Sequence, residues 1–286
     1  MDIKSKIRPQ FAEQFYPGDC IRQIEDFKKS FTPPDEPADI KGGIVPHAGW
    51  FFSGATAAKV FLSIQTQKAP EAFVLLGTVH VHGVRKNSIY STGSWSTPLG
   101  EIKVNDAIAA MLLDEMPGLL DDNPQAHLYE HSIEVQTPMI KYLFPKTSIV
   151  PIAVPPGEEA VALGEGIGKV ISGQGLNAVV IGSTDLTHYG DNYGFTPAGY
   201  GPEAYRWMRE NDEKIIRLAL GLKAREILDE AAADYNACGP GAMAAAAAAS
   251  KAMGSKGGVL LEHVTSYDVY PQGEFDMAVG YAGIIF

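Results

Sequence analysis

Cysteine is almost absent: Cys20 and Cys238 are the only two in 286 residues. That excludes a disulfide framework and suits a reducing cytoplasm. Long hydrophobic runs are missing as well. The longest small-apolar run, residues 242–249, falls far short of the ~18 residues a membrane span requires. The opening Met1-Asp2-Ile3-Lys4-Ser5-Lys6 is polar, so no signal peptide is expected. Positive charge is scarce too. Lys and Arg number 23 against 34 Asp and Glu, a net charge of -11. Duplex nucleic acid and anionic membranes call for clustered cations, and no cluster exists. Neither is expected as a partner. No repeat or low-complexity linker divides the chain, so one domain over residues 1–286 is expected.

What is present is ordinary in bulk. Hydrophobic residues make up 45% and charged residues 20%, enough for a sizeable core. Short apolar runs at 40–45, 72–76, 148–154, 178–182, 258–264 and 277–285 read as strands, several of them apolar on both faces, as buried central strands are. Helical patterns fall at 56–65, 107–115, 133–143, 158–171, 203–222 and 243–253. Pro138 should kink the third of these or delay its start. The alternation predicts an α/β fold: a central, mostly parallel or mixed β-sheet with helices on both faces. Residues 87–91 fit an added edge strand.

The polar residues fall where such a fold concentrates chemistry. The strand at 40–45 runs into Pro46-His47-Ala48-Gly49. The strand at 72–76 runs into Gly77-Thr78-Val79-His80-Val81-His82. The strand at 178–182 runs into Ser183-Thr184-Asp185-Leu186-Thr187-His188. Sites in open α/β sheets form at the carboxyl ends of strands. One histidine alone is more often a satisfied core or loop residue. Three at equivalent strand ends point to a metal or acid–base site, with His47 and His80 as candidate ligands. His82 shares a face with His80 if the segment is extended; otherwise it lies at the rim. His127 and His263 stand in no such pattern.

Cys238 precedes Gly239-Pro240-Gly241, and Pro240 suits the first turn of the alanine-rich helix. The helix dipole favours a thiolate there, the form that binds metal. The alternative is a small buried hydrophobe. Asp185, three residues before His188, either orients that histidine for acid–base work or caps a turn. In Glu130-His131-Ser132-Ile133-Glu134, Ser132 fits a helix N-cap. Glu134 fits an exposed charge beside it, and His131 fits a supporting residue at the same pocket. Neither Ser53-Gly54 nor Gly164-Glu165-Gly166-Ile167-Gly168 has the spacing and setting of a phosphate loop.

Taken together, these motifs resemble the Memo family, which includes the bacterial AmmeMemoRadiSam system protein B. The resemblance rests on Phe15-Tyr16-Pro17-Gly18-Asp19, Val45-Pro46-His47-Ala48-Gly49-Trp50 with Ser53-Gly54, and Leu76-Gly77 with His80. It continues through Thr97-Pro98-Leu99-Gly100, Glu130-His131-Ser132-Ile133-Glu134, Ser183-Thr184-Asp185 with His188, Cys238-Gly239 and Gly280-Tyr281-Ala282. It implies a fold similar to class III extradiol dioxygenases. It also implies a mononuclear metal at His47, His80 and Cys238, with His188 in the acid–base position supported by Asp185 and His131.

Thiolate in place of a carboxylate keeps iron favoured and makes copper or zinc competitive. The implied activity is a metal-dependent oxidoreductase acting on a small organic substrate. The alternatives are a non-catalytic metal-, ligand- or peptide-binding adaptor and a metallohydrolase. A radical SAM partner is implied by family association alone. One departure is Thr78-Val79-His80, where family members often carry Pro-Ser-His or Pro-Asn-His.

Overall fold

The protein is described by a computed structural model covering residues 7–35 and 39–286; the opening residues 1–6 read above lie outside it. In chain order the strands are β1 (Ile7–Arg8), β2 (Gly42–Val45), β3 (Ala72–Gly77), β4 (Asn87–Ile89), β5 (Ser94–Trp95) and β6 (Ile102–Lys103). They continue with β7 (Leu120–Asp122), β8 (Ser148–Ala153), β9 (Ala178–Ser183), β10 (His188–Tyr189), β11 (Val259–Thr265) and β12 (Ala278–Ile285). The helices are α1 (Cys20–Lys29), α2 (Trp50–Gln65), α3 (Asp106–Glu115), α4 (Thr137–Leu143), α5 (Glu158–Gly173), α6 (Pro202–Leu220), α7 (Ala224–Asp234), α8 (Pro240–Ala252) and α9 (Ser266–Val269).

The main sheet runs β10-β12-β2-β9-β3-β8-β4-β7, with β11 also paired to β12. Its centre, β2-β9-β3-β8, is parallel, and antiparallel pairings join β12 to β2 and β4 to β8. This is the mixed α/β sheet expected. β1, β5 and β6 form a separate small sheet.

Alternation along the central strands splits the core into two layers. Ile44, Val74, Leu76 and Val180 face α3 and α5 to α8. Val45, Phe73, Leu75, Val179 and Ile181 face α1, α2 and α4. The alanine run finds its reason in the first layer. Helix α8 is buried from Gly241 to Ser250, because the sheet presses on one side of it and α5 on the other. Only small residues permit that approach. A Cβ on Gly182 of β9 would meet the Ala242 carbonyl oxygen at 2.7 Å, and one on Gly164 of α5 would meet that of Ala245 at 2.2 Å.

The delayed helix start expected at Pro138 is met, and the expectations for Ser132 and the strand at 87–91 are corrected. The helix expected at 133–143 opens as a 3-10 turn, Glu134–Gln136, and becomes α-helical only at Thr137, with Pro138 in its first turn. Proline lacks the N–H an interior position needs, so the start is delayed. Ser132 caps nothing there: its hydroxyl donates to the Thr78 carbonyl at 3.0 Å. β4 is not the edge, since β7 pairs outside it. Cys20 begins α1, which Asp19 caps through the Arg22 N–H at 3.0 Å.

Candidate metal centre

Three adjacent parallel strands build the site. His47 lies two residues beyond β2, Asp185 two beyond β9, and His80 three beyond β3, with β9 in the middle. Their carboxyl ends converge because the strands run the same way. His131 arrives from elsewhere, on the loop between β7 and α4. One ring nitrogen from each of His47, His80 and His131 lies within 4.8 Å of the others. The His131 ring stacks between those of Phe15 and His80, each centroid 4.5 Å away, and stands edge-on to His47 at 5.3 Å.

Proton counting fixes where the free lone pairs point. The Ser183 hydroxyl gives its single proton to the Ser132 carbonyl at 2.7 Å. It therefore accepts from His47 Nδ1 at 3.1 Å, which leaves His47 Nε2 bare. Glu130 does the same for His80. Its Oε1 accepts from His80 Nδ1 at 2.9 Å and from the backbone N–H groups of His131 and Ser132, both at 2.9 Å. Its Oε2 accepts the His80 N–H at 2.6 Å. A carboxylate on one ring nitrogen presents the other as a ligand.

The electrostatics agree with that geometry. Burial, followed by the neighbouring His80, lowers His47 to about 3, so it is neutral at physiological pH. Burial and the neighbouring His47 and His80 lower His131 to about 4. Burial alone would raise the Glu130 carboxyl. The His80 ring and the N–H groups around it overcome that and hold it at about 2.

Cys238 sits just before α8, its sulfur 3.2 Å from His47 Nε2. The Asp185 N–H donates to that sulfur at 3.3 Å, and the Cys238 N–H donates to the Asp185 carbonyl at 3.2 Å. Burial and the nearby Asp185 push the thiol up to about 12. It keeps its proton at neutral pH until a cation takes the proton's place. Asp185 is itself buried, which raises its carboxyl above the ordinary value. Oδ1 accepts the N–H groups of His47 at 2.7 Å and Ala48 at 3.3 Å, and Oδ2 lies 4.0 Å from His47 Nε2.

His188 lines one pocket together with Cys238. Its Nδ1 donates to the Leu186 carbonyl at 2.9 Å, so the backbone rather than Asp185 orients the ring. A pocket of about 550 Å³ opens beside His188 and Cys238, walled by Tyr193, Phe195, Ala231 and Tyr235. His82 is exposed in the turn after His80. His80 lies in a loop, where the shared face of an extended segment does not apply.

This donor set fits a transition metal. Two imidazoles with bare or carboxylate-tensioned nitrogens, a third ring stacked on one and edge-on to the other, and a thiol at hydrogen-bond distance are borderline-to-soft ligands. Glu130 was missed by sequence reading, and its position directly before His131 was the available signal. Glu134, read as an exposed cap charge, is fully buried. It takes Arg8 Nη1 at 2.6 Å, the Phe11 N–H at 2.9 Å, the Ala12 N–H at 2.8 Å and the Tyr16 hydroxyl at 3.0 Å. His127 is buried, with Nε2 donating to the Ser88 carbonyl at 2.9 Å.

Comparison with known proteins gives a consistent picture. The family described as "Memo-like protein" matches residues 8–285. A MEMO1 family protein of Thermococcus onnurineus is 37% identical, covering 97% of this chain and 98% of its own. A relative of the same description from Pyrococcus abyssi is 35% identical over the same shares, and one from Methanopyrus kandleri is 34% identical over 97% and 98%. Among solved structures, an uncharacterized protein of Escherichia coli K12 aligns over 76% of this chain and 88% of that one, with 12% identity and a TM-score of 0.47.

Proposed function

The chain belongs to the Memo-like protein family, and from that premise we propose that it binds one transition-metal ion at His47, His80 and Cys238 and uses it for oxidoreductase chemistry on a small organic substrate. Iron is the favoured metal. The observation that carries the reading is the approach of the Cys238 sulfur to His47 Nε2 at 3.2 Å, beside a thiol that only a cation would deprotonate at neutral pH. When bound, iron would supply one-electron and O₂ chemistry.

The chain's own residues prepare that site. Glu130 and Ser183 orient the two imidazoles. Asp185 pins the end of β2 through the His47 and Ala48 N–H groups. His188 carries its proton on Nδ1, so Nε2 is free to accept one from a substrate in the adjoining pocket. Asp185, whose carboxyl feels the His188 charge, would bias that proton's movement, with His131 in support.

The compact group His47, His80 and His131 favours a second reading. Three histidines are the ligand set of hydrolytic and hydratase zinc sites, where the metal activates water. Elemental analysis of untagged protein purified without oxygen, wild type beside Cys238→Ala, separates the two. Near-stoichiometric iron that is lost in the variant supports the first reading and leads to an O₂-uptake screen. Zinc retained in the variant supports the second. No uptake of iron, copper or zinc by either protein would sink both.

A further inference from the structure

Three of the residues assigned chemistry, Asp185, His188 and Cys238, sit on two segments, 183–190 and 234–239. Those segments touch directly at one end. The Cys238 N–H reaches the Asp185 carbonyl, the Asp185 N–H reaches the Cys238 sulfur, and the Gly239 N–H reaches Thr184 Oγ1 at 2.9 Å. The 183–190 segment is also held by β12, through the Leu186 N–H to the Gly280 carbonyl at 2.8 Å and the Gly280 N–H to the Thr187 carbonyl at 3.0 Å. With this one line of contact, the 234–239 segment would be the one free to pivot.

A second tie comes from α6, through Asn211 and Asp212, both buried. Asn211 Nδ2 donates to Thr187 Oγ1 at 3.2 Å and to the Asp234 carbonyl at 2.9 Å. Asp212 Oδ1 accepts the Thr187 N–H at 3.0 Å, while its Oδ2 takes His263 Nε2 at 2.9 Å. Asn236 Nδ2 donates back to the Asn211 carbonyl at 3.0 Å. Thr187 is the residue before His188, and Asp234 to Asn236 lead into Cys238.

Two details separate this arrangement from routine packing. Asn211 Oδ1 is buried with no hydrogen-bond partner among the described residues. An orphaned acceptor costs free energy, so what an asparagine supplies here, and a leucine of similar size does not, is its pair of donors. Asp212 is also tightly confined: a Cβ on Gly280 of β12 would meet its Oδ2 at 2.1 Å. The strand passes only because that residue is glycine.

We infer that Asn211 and Asp212 form a positioning clamp that fixes the Cys238 loop against the Asp185–His188 loop and so sets the distance between the thiolate and the imidazole side of the site. The inference rests on the reading of Cys238 as a ligand. Ligand geometry held at both ends is a preorganised site; held at one end it is a loose one.

The test uses Asn211→Leu in the full chain, in a Cys20→Ala background so that Cys238 is the sole thiol. Leucine removes both donors and the orphaned acceptor at similar volume, so folding should survive. Cobalt(II) titration should show affinity down by about 10–100-fold, as for other residues that orient ligands, with a weakened thiolate-to-cobalt charge-transfer band. In metal-free protein, alkylation of Cys238 by iodoacetamide should speed up by roughly tenfold, the scale of a lost buried hydrogen bond. Parent-like affinity, band and alkylation rate together would overturn the clamp. A parent protein without the thiolate band would overturn Cys238 as ligand, while the alkylation rates would still decide the clamp. Should Asn211→Leu not fold, Thr187→Val cuts one tie only. Smaller shifts in the same assays are then expected, and none at all refutes the clamp.

Discussion

Two buried glutamates on one loop, four residues apart, are put to opposite uses. Glu134 faces a permanent cation. Arg8 meets it at 2.6 Å, and both side chains are fully shielded from water. Arg8 also donates to the His127 and Glu130 carbonyls at 2.7 and 2.8 Å and lies over the Trp95 ring. Charge there is balanced, and the result ties the N-terminal segment to the body. Glu130 faces histidines instead, of which His47 and His131 are held neutral. Its charge remains available, and a metal ion on the other side of the imidazoles would complete it. The same carboxylate thus becomes scaffold or site according to whether its partner's charge is fixed or conditional.

Removing each carboxylate should break the comparison cleanly. Glu134→Ala strands Arg8 without a counter-ion, at a cost of about 3–5 kcal/mol in unfolding free energy, read by urea denaturation. Glu130→Gln gives up the pH-dependent stabilisation of that carboxylate and should also lower metal affinity by about 10–100-fold, read by competitive chelation. If Glu134→Ala were nearly as stable as wild type, or Glu130→Gln bound metal normally, the division of labour would be wrong.

Acid titration sharpens the same contrast. The Glu130 carboxyl is depressed in the folded state, from 4.5 to about 2. Its stabilisation is complete above pH 4.5 and disappears as pH falls towards 2. His47 is depressed from 6.5 to about 3, so the unfolded chain takes up that proton first and stability falls between those values. Glu130→Gln should therefore lose the carboxylate's contribution between pH 4.5 and about 2 and keep the His47 contribution between 6.5 and about 3. A smaller effect concerns the third ligand. With the Cys238 thiol raised to about 12, metal binding must release its proton, and affinity should climb about one decade per pH unit between ~pH 5 and ~pH 9. Cys238→Ala should flatten that slope. A slope unchanged in the variant would assign the third position to His131.

Much of this was legible beforehand because it is local. Apolar runs of strand length, three of them running into a histidine or aspartate, outlined the central sheet and put His47, His80 and Asp185 at its carboxyl edge. Elements with weak patterns escaped. α1 buries only Cys20 and Ile24 among charged neighbours, and α7 follows closely on α6, with only Gly221, Leu222 and Lys223 between them.

What the sequence determined alone is the alternation of elements, the family and the strand-end polar residues, since periodicity and turn chemistry act over a few positions. Tertiary structure decided the rest. It brought His131 within 4.8 Å of His47 and His80 from a different loop. It buried Glu134 against Arg8, 126 positions earlier. It set Cys238 against His47 across 191 positions. No local pattern encodes those meetings, because burial and charge pairing are properties of the packed chain.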